Sequence, residues 1–237
     1  MRRLGWWLAV VAVVVGGAGE ARAQRWEWEA TSGLYSQNRF RGLRQGGFGW
    51  ISETTLRAGL AGGLTAHLSG LTAQSFSKPS GHLENRLNLG LGRRVGPLMT
   101  VVGGWQWLDR AGINPLYPGQ HELYLGLEAE VAGFRPMGYL YLDVTEGSGL
   151  YALAAVSRTW ALGEQWSLGT LGAMGFASGR YDGFQNALLS FDLNYPVARG
   201  LELGPRLDLH FPSTQADPSA DGFRAVVGFG VRYRGGF

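Results

Sequence analysis

Apolar and polar residues alternate with a period of two along most of the chain from residue 26 onward. This is the pattern of strands whose successive side chains point to opposite faces. The last stretch shows it most clearly: Phe223, Ala225, Val227, Phe229, Val231, Tyr233 and Phe237 fall on one face, and Arg224, Gly228, Gly230, Arg232 and Arg234 on the other. Leu201, Leu203, Leu207, Leu209 and Phe211 likewise oppose Glu202, Arg206, Asp208 and His210. Leu123, Leu125, Leu127 and Ala129 oppose Glu122, Tyr124, Gly126 and Glu128. The alternation predicts twelve segments: 26–41, 48–60, 64–74, 83–92, 98–107, 121–131, 138–145, 149–160, 165–176, 184–195, 200–211 and 222–237. Segment 149–160 is the least regular, because neither of its faces is cleanly polar.

The connections between segments fall into two kinds. Those after even-numbered segments are short, as at Ala61-Gly62-Gly63 and near Arg93, Phe134, Gly163 and Ala198. Those after odd-numbered segments are mostly longer, notably 108–120 and 212–221, and carry Pro, Asp, Gly and Ser. An even strand number with short turns at one end and longer loops at the other predicts an all-β fold, a transmembrane antiparallel up-and-down β-barrel of about 12 strands. Both termini then lie on the short-turn, periplasmic side. Lipid offers the backbone no hydrogen bonds, so such a sheet must close on itself. The competing fold is a soluble barrel or sandwich, which would bury the apolar faces and expose the charged ones.

Composition narrows the choice. Thirty-nine glycines among 237 residues fit a curved, strongly tilted sheet. The absence of Cys removes disulfide scaffolds, thiolate metal sites and cysteine nucleophiles. Arg2 and Arg3 precede an apolar run from Leu4 to Val15, and Ala21-Arg22-Ala23 follows. A positive start, a short apolar core and an A-x-A end predict a secretory signal peptide over 1–23, cleaved after Ala23, with 24–237 as the barrel. The alternative, an N-terminal anchor helix, needs ~20 apolar residues, more than this run supplies. The 21 Lys+Arg and 18 Asp+Glu of the whole chain become 18 and 17 once Arg2, Arg3, Arg22 and Glu20 are removed. A nearly neutral chain lacks the electrostatic footprint of a nucleic-acid partner. No run reaches 18 consecutive apolar residues, so an exported chain of this pattern is expected in the outer membrane of a Gram-negative bacterium.

Seven Trp follow Ala23, and each falls near a segment end: Trp26, Trp28, Trp160 and Trp166 at the periplasmic level, Trp50, Trp105 and Trp107 at the outer level. Indole is apolar in body and polar at its N–H, which suits the two interfaces of a bilayer and predicts an aromatic girdle in contact with outer-membrane lipid. Phe229, Tyr233 and the terminal Phe237 share one phase. They resemble the C-terminal insertion signal read by the barrel assembly machinery.

With apolar faces toward lipid, the other faces line a lumen. The expected lining residues are Glu27, Glu29, Arg39, Arg41, Glu53, Arg57, Glu84, Arg86, Glu122, Glu128, Asp143, Asp192, Glu202, Arg206, Asp208, His210, Arg224, Arg232 and Arg234. Both signs are present in nearly equal number, which predicts weak ion selectivity or a lumen closed by its own ion pairs. Closure sets the last strand beside the first. Arg232 and Arg234 then come level with Glu27 and Glu29, and Asp208 and His210 lie near Arg224.

At the top of the first segment stands Ser36-Gln37-Asn38-Arg39-Phe40-Arg41-Gly42-Leu43-Arg44-Gln45. Ser36, Phe40, Arg41, Gly42 and Gln45 resemble the opening motif of the TorF-type porins; Asn38 stands where that family usually has Tyr, and Arg44 where it has Ser. Chain length, Gly content and the run Glu122 to Gly126 are similar too. The resemblance implies an outer-membrane barrel of poorly defined solute specificity, with Arg41 and Gly42 as marked positions; the polar, mixed-charge lumen points to passive diffusion of ions or small solutes. Alternation alone puts Arg39 and Arg41 on the lumen side of the outer mouth.

Two other functions compete with transport. A closed barrel with a structural or loop-binding role is the first. The second is a lipid-modifying hydrolase, since His67-Leu68-Ser69 has the spacing at which a His deprotonates a Ser on the same strand face. The phase of Leu64, Ala66 and Leu68 turns that pair into the lumen, away from lipid, so no enzyme activity and no catalytic residue is expected. His67, His82, His121 and His210 lack metal-ligand spacing, so neither a metal nor a cofactor is expected.

Overall fold

The computed structural model describes residues 25–40, 43–77, 81–109, 119–145, 149–179, 182–214 and 222–236. Twelve strands form one closed antiparallel barrel: β1 (Arg25–Tyr35), β4 (Gly49–Gly59), β5 (Leu64–Ser75), β6 (Gly81–Val95), β7 (Met99–Asp109), β8 (Gln120–Ala129), β9 (Phe134–Asp143), β10 (Gly149–Leu162), β11 (Trp166–Gly179), β12 (Gly183–Ala198), β13 (Leu201–Pro212) and β14 (Arg224–Gly236). A separate two-stranded hairpin, β2 (Asn38–Phe40) and β3 (Leu43–Gly46), stands between β1 and β4. Each barrel strand pairs with its neighbour in sequence, and β14 returns to β1, so the sheet has no free edge.

The predicted segments match these strands with two corrections. The first segment, 26–41, was expected to be one strand, but β1 ends at Tyr35 and the chain turns into the β2–β3 hairpin. Ser36 marks the change: its N–H donates to the Val227 carbonyl at 2.8 Å, and its Oγ accepts from the Val227 N–H at 3.0 Å. The second correction concerns β9, which begins at Phe134 rather than 138. Pro136 lacks an N–H and suggests a break, yet it is carried in register opposite Val156.

Five short connections lie at one end of the barrel, the turn end. They follow β4, β6, β8, β10 and β12, and each includes a glycine at positive φ (Gly62, Gly96, Gly133, Gly163 and Gly200, between 71° and 78°). A side chain there would strain the turn, so glycine fixes these tight reversals. The opposite, loop end carries the longer connections.

The direction of the faces is settled by exposure. Leu125 is 57% exposed, Phe229 53% and Leu189 44%. Glu84 and Glu122 are each 1% exposed. Apolar side chains thus face outward and charged ones inward, the inverse of a soluble sandwich.

The candidate functional site is the barrel lumen

Register carries one inward face around the ring. Thr31 lies opposite Glu53 on β4 and Arg232 on β14; Glu122 lies opposite Gln106 on β7 and Asp143 on β9; Arg206 lies opposite Asp192 on β12. Glu27, Glu29, Arg57, Glu84, Arg86, Glu128, Glu202, Asp208, His210, Arg224 and Arg234 share that face. Arg39 belongs instead to β2, outside the barrel sheet, because the alternation that puts it in the lumen stops at Tyr35. Arg41, Gly42 and Phe237 lie outside the described residues.

Ion pairs organise this interior in clusters. At the β1–β14 seam, Glu29 meets Arg232 at 3.3 Å and Arg234 at 3.1 Å, and Glu202 reaches the same two guanidiniums at 3.7 and 3.6 Å. The seam therefore joins the expected residues with one exchange. Glu27 stands opposite Gly236 and pairs with Arg25 at 3.0 Å, because the register sets Arg234 against Glu29. Replacing Glu29 by Gln leaves two arginines sharing Glu202. We expect a loss of about 1 kcal/mol, since the partly exposed pairs are screened, read as a lower urea midpoint of the folded barrel. A second cluster holds Arg206 between Asp208 at 2.9 Å and Asp192 at 3.7 Å. Arg86 reaches Glu84 at 2.8 Å, and Arg135 reaches Glu128 at 3.8 Å. His210 stands directly opposite Arg224, with Asp208 two positions along.

Sequence reading missed an aromatic row. Tyr124, Tyr141 and Tyr151 occupy successive register positions on β8, β9 and β10, with ring centroids 5.8 and 6.1 Å apart; Tyr139 joins them 6.0 Å from Tyr141. These rings lie over strand positions that have no side chain. A Cβ at Gly90 would collide with the Tyr124 hydroxyl and the His67 ring, and one at Gly126 with the Tyr139 ring. Tyr139 donates to the Glu128 carboxylate, and His67 Nε2 lies 2.5 Å from the Tyr124 hydroxyl. The available signal was phase: Tyr139 and Tyr141 fall in step with Asp143.

The lumen is unequal along its length. A cavity of about 210 Å³ lies on the inward face among Glu29, Thr31, Glu53, Thr55 and Arg57, and one of about 870 Å³ opens over the turn-end rim, where Glu27 and Arg234 share its lining with Trp28 and Tyr233. In the loop-end half, Leu108 joins Glu84 and Glu122 at 1% exposed, and Ser75, Gln106, Asp208 and His210 are buried too. Glu122 accepts hydrogen bonds from both Gln106 and Gln120. The interior is a wet vestibule that narrows into a packed layer.

Outside, aromatic side chains collect at both ends. Trp28 packs 4.7 Å from Tyr233 and Trp166 4.9 Å from Tyr195 at the turn end. Trp26 and Trp160 occupy the same outward phase there. Toward the loop end Trp105 stacks on His121 at 5.5 Å, Trp107 shares its phase, and the Trp50 indole donates to Ser32 at 2.7 Å. Phe229 faces outward on β14, in step with Tyr233.

His67 and Ser69 both point into the lumen, on the inward face shared with Asn88, which donates to Ser69 Oγ at 3.1 Å. Among the described residues no group of three His, Asp or Glu side chains is disposed to hold a metal ion.

An apolar exterior, a charged interior and a closed ring of twelve antiparallel strands define the architecture of outer-membrane β-barrels. Solved structures agree. The fold is similar to the NanC porin, with a TM-score of 0.54 and 10% identity over 87% of this chain and 98% of that one. It is also similar to the KdgM porin, at 0.51 and 10% over 86% and 98%. Escherichia coli outer membrane phospholipase A matches at 0.54 and 16% over 87% and 92%. At these identities the likeness is one of fold. No protein-family model and no curated protein matches the sequence.

Proposed function

We propose that the protein is a porin-type barrel of the bacterial outer membrane that passes ions or small solutes by diffusion along its mixed-charge lumen. The observation that carries this reading is the polar lumen itself, an ion-paired wall around a cavity of about 210 Å³ lined by Glu29, Thr31, Glu53, Thr55 and Arg57. Turn end and termini then face the periplasm, the signal peptide 1–23 having been removed. The tryptophans form the two girdles, and Phe229, Tyr233 and Phe237 present the C-terminal strand to the assembly machinery. The motif at 36–45 supports kinship with the TorF-type porins, with Arg41 and Gly42 as its marked positions. We read the chain as a non-enzyme, because the His67–Ser69 pair faces the lumen and a lipid substrate does not reach it.

The packed loop-end half of the lumen favours a second reading, a closed barrel with a structural or loop-binding role. Planar bilayers separate the two. Stepwise conductance with little preference between cations and anions is expected for the channel. A folded, inserted and electrically silent barrel would leave the closed reading. Phospholipid hydrolysis by the purified barrel, abolished in Ser69→Ala, would replace both.

A further inference from the structure

On the outer face near the turn end two arginines break the apolar surface, Arg93 of β6 beside Leu64 and Val101, and Arg158 of β10, which is seated on aromatic rings. Arg158 of β10 shares its outward phase with Val156 and Trp160, and stands opposite Phe134 on β9 and Thr170 on β11. Its guanidinium carbon lies 4.5 Å from the Phe134 ring centroid and 3.8 Å from that of Trp160, while the two rings meet edge to face at 87°. Thr170 fixes the indole from the far side. The Trp160 N–H donates to Thr170 Oγ1 at 3.1 Å, and that hydroxyl donates to the Arg158 carbonyl at 3.2 Å. Among the described residues no carboxylate lies within ion-pairing distance of Arg158, although Arg86, Arg206, Arg232 and Arg234 in the lumen are held by carboxylates.

A guanidinium held over aromatic rings, with no carboxylate beside it, keeps N–H donors of its planar fork for a phosphate. On the lipid side of a barrel, at the level of the Trp160 and Trp166 girdle, the anion that meets such a fork is a lipid headgroup. Resting on the membrane reading above, we propose that Arg158, Trp160 and Phe134 form a binding site for the phosphate of a glycerophospholipid in the leaflet at the turn end. The guanidinium takes the phosphate oxygens, and the rings pack against the glycerol and upper acyl chain.

The test uses the full mature barrel folded in detergent micelles doped with phosphatidylglycerol, followed by native mass spectrometry. Wild type is expected to retain one lipid, and Arg158→Gln about five-fold less. Arg158→Lys, which keeps the charge but not the planar fork, should fall between them. Diacylglycerol with the same chains should not be retained, and millimolar inorganic phosphate should leave the bound lipid in place. Equal retention by wild type and Arg158→Gln, both verified as folded by heat-modifiable gel mobility, would overturn the site alone. Displacement of the lipid by inorganic phosphate would overturn it in favour of a free-anion site. Wild-type chain that fails to insert into phospholipid vesicles would overturn the membrane reading, and this site with it.

Discussion

Replacing Leu125 by Arg is expected to destabilise the folded barrel in lipid by about 2–4 kcal/mol, the cost of a cation on the lipid face near mid-strand. Leu125 sits halfway along β8, more than half exposed, between the outward Leu123 and Leu127. No lumen carboxylate is on its side of the sheet, and its distance from both strand ends leaves the guanidinium a long way to snorkel. Thr55→Arg is the matched control, since Thr55 lines the turn-end vestibule with Glu29 and Glu53. There the new charge is hydrated and faces two carboxylates, so stability should change little. Urea titration of both variants in phospholipid vesicles reads the difference. Equal destabilisation would contradict the assignment of faces, and a larger loss for Thr55→Arg would invert it.

That contrast rests on phase, and phase was the most legible property of the sequence. A period of two identifies a strand and its two faces at once, and a one-residue slip would exchange them along the whole strand. The charged residues of β4, β8, β12, β13 and β14, with Glu84 and Arg86 of β6, could therefore be placed inside from alternation alone, while the phase of Arg93 on β6 turns it outward. What alternation does not measure is where a strand stops. Ser36 ends β1 through backbone bonds to Val227, a residue 191 positions away, and nothing local announces it. Arg39 was consequently assigned to a lumen wall that ends before it.

The lumen's contents were only half legible for a related reason. The opposition of Arg232 and Arg234 to Glu29 follows from closure and strand direction, but register decides that Glu27 drops out and Glu202 enters. Leu108 and Val226 sit on the inward face although they are apolar. A rule that sends apolar residues to lipid misplaces such residues. In a lumen narrow enough for opposite walls to touch, apolar side chains are packed there rather than wetted. The tyrosine row belongs to the same class: Tyr124, Tyr139 and Tyr151 each fill the space over a glycine on a neighbouring strand (Gly104, Gly126 and Gly175), a relation across strands that no single segment displays.

Leu108 is the place to test whether that packed layer is the constriction. It lies on the inward face between Arg86 on β6 and Gln120 on β8, at 1% exposed. Truncating a leucine so enclosed costs about 2–5 kcal/mol when the site cannot collapse around the void. A wet lumen at this level would make the same change nearly free. Leu108→Ala should therefore lower the urea midpoint of the barrel and at the same time raise its single-channel conductance, because it removes volume from the narrowest layer. Thr31→Ala, in the vestibule beside Glu29 and Glu53, should do neither. Destabilisation without any gain in conductance would mean that the layer seals the barrel by more than this side chain and would favour the closed reading. No loss of stability at all would mean that water already reaches Leu108, and the narrowing would have to lie elsewhere along the lumen.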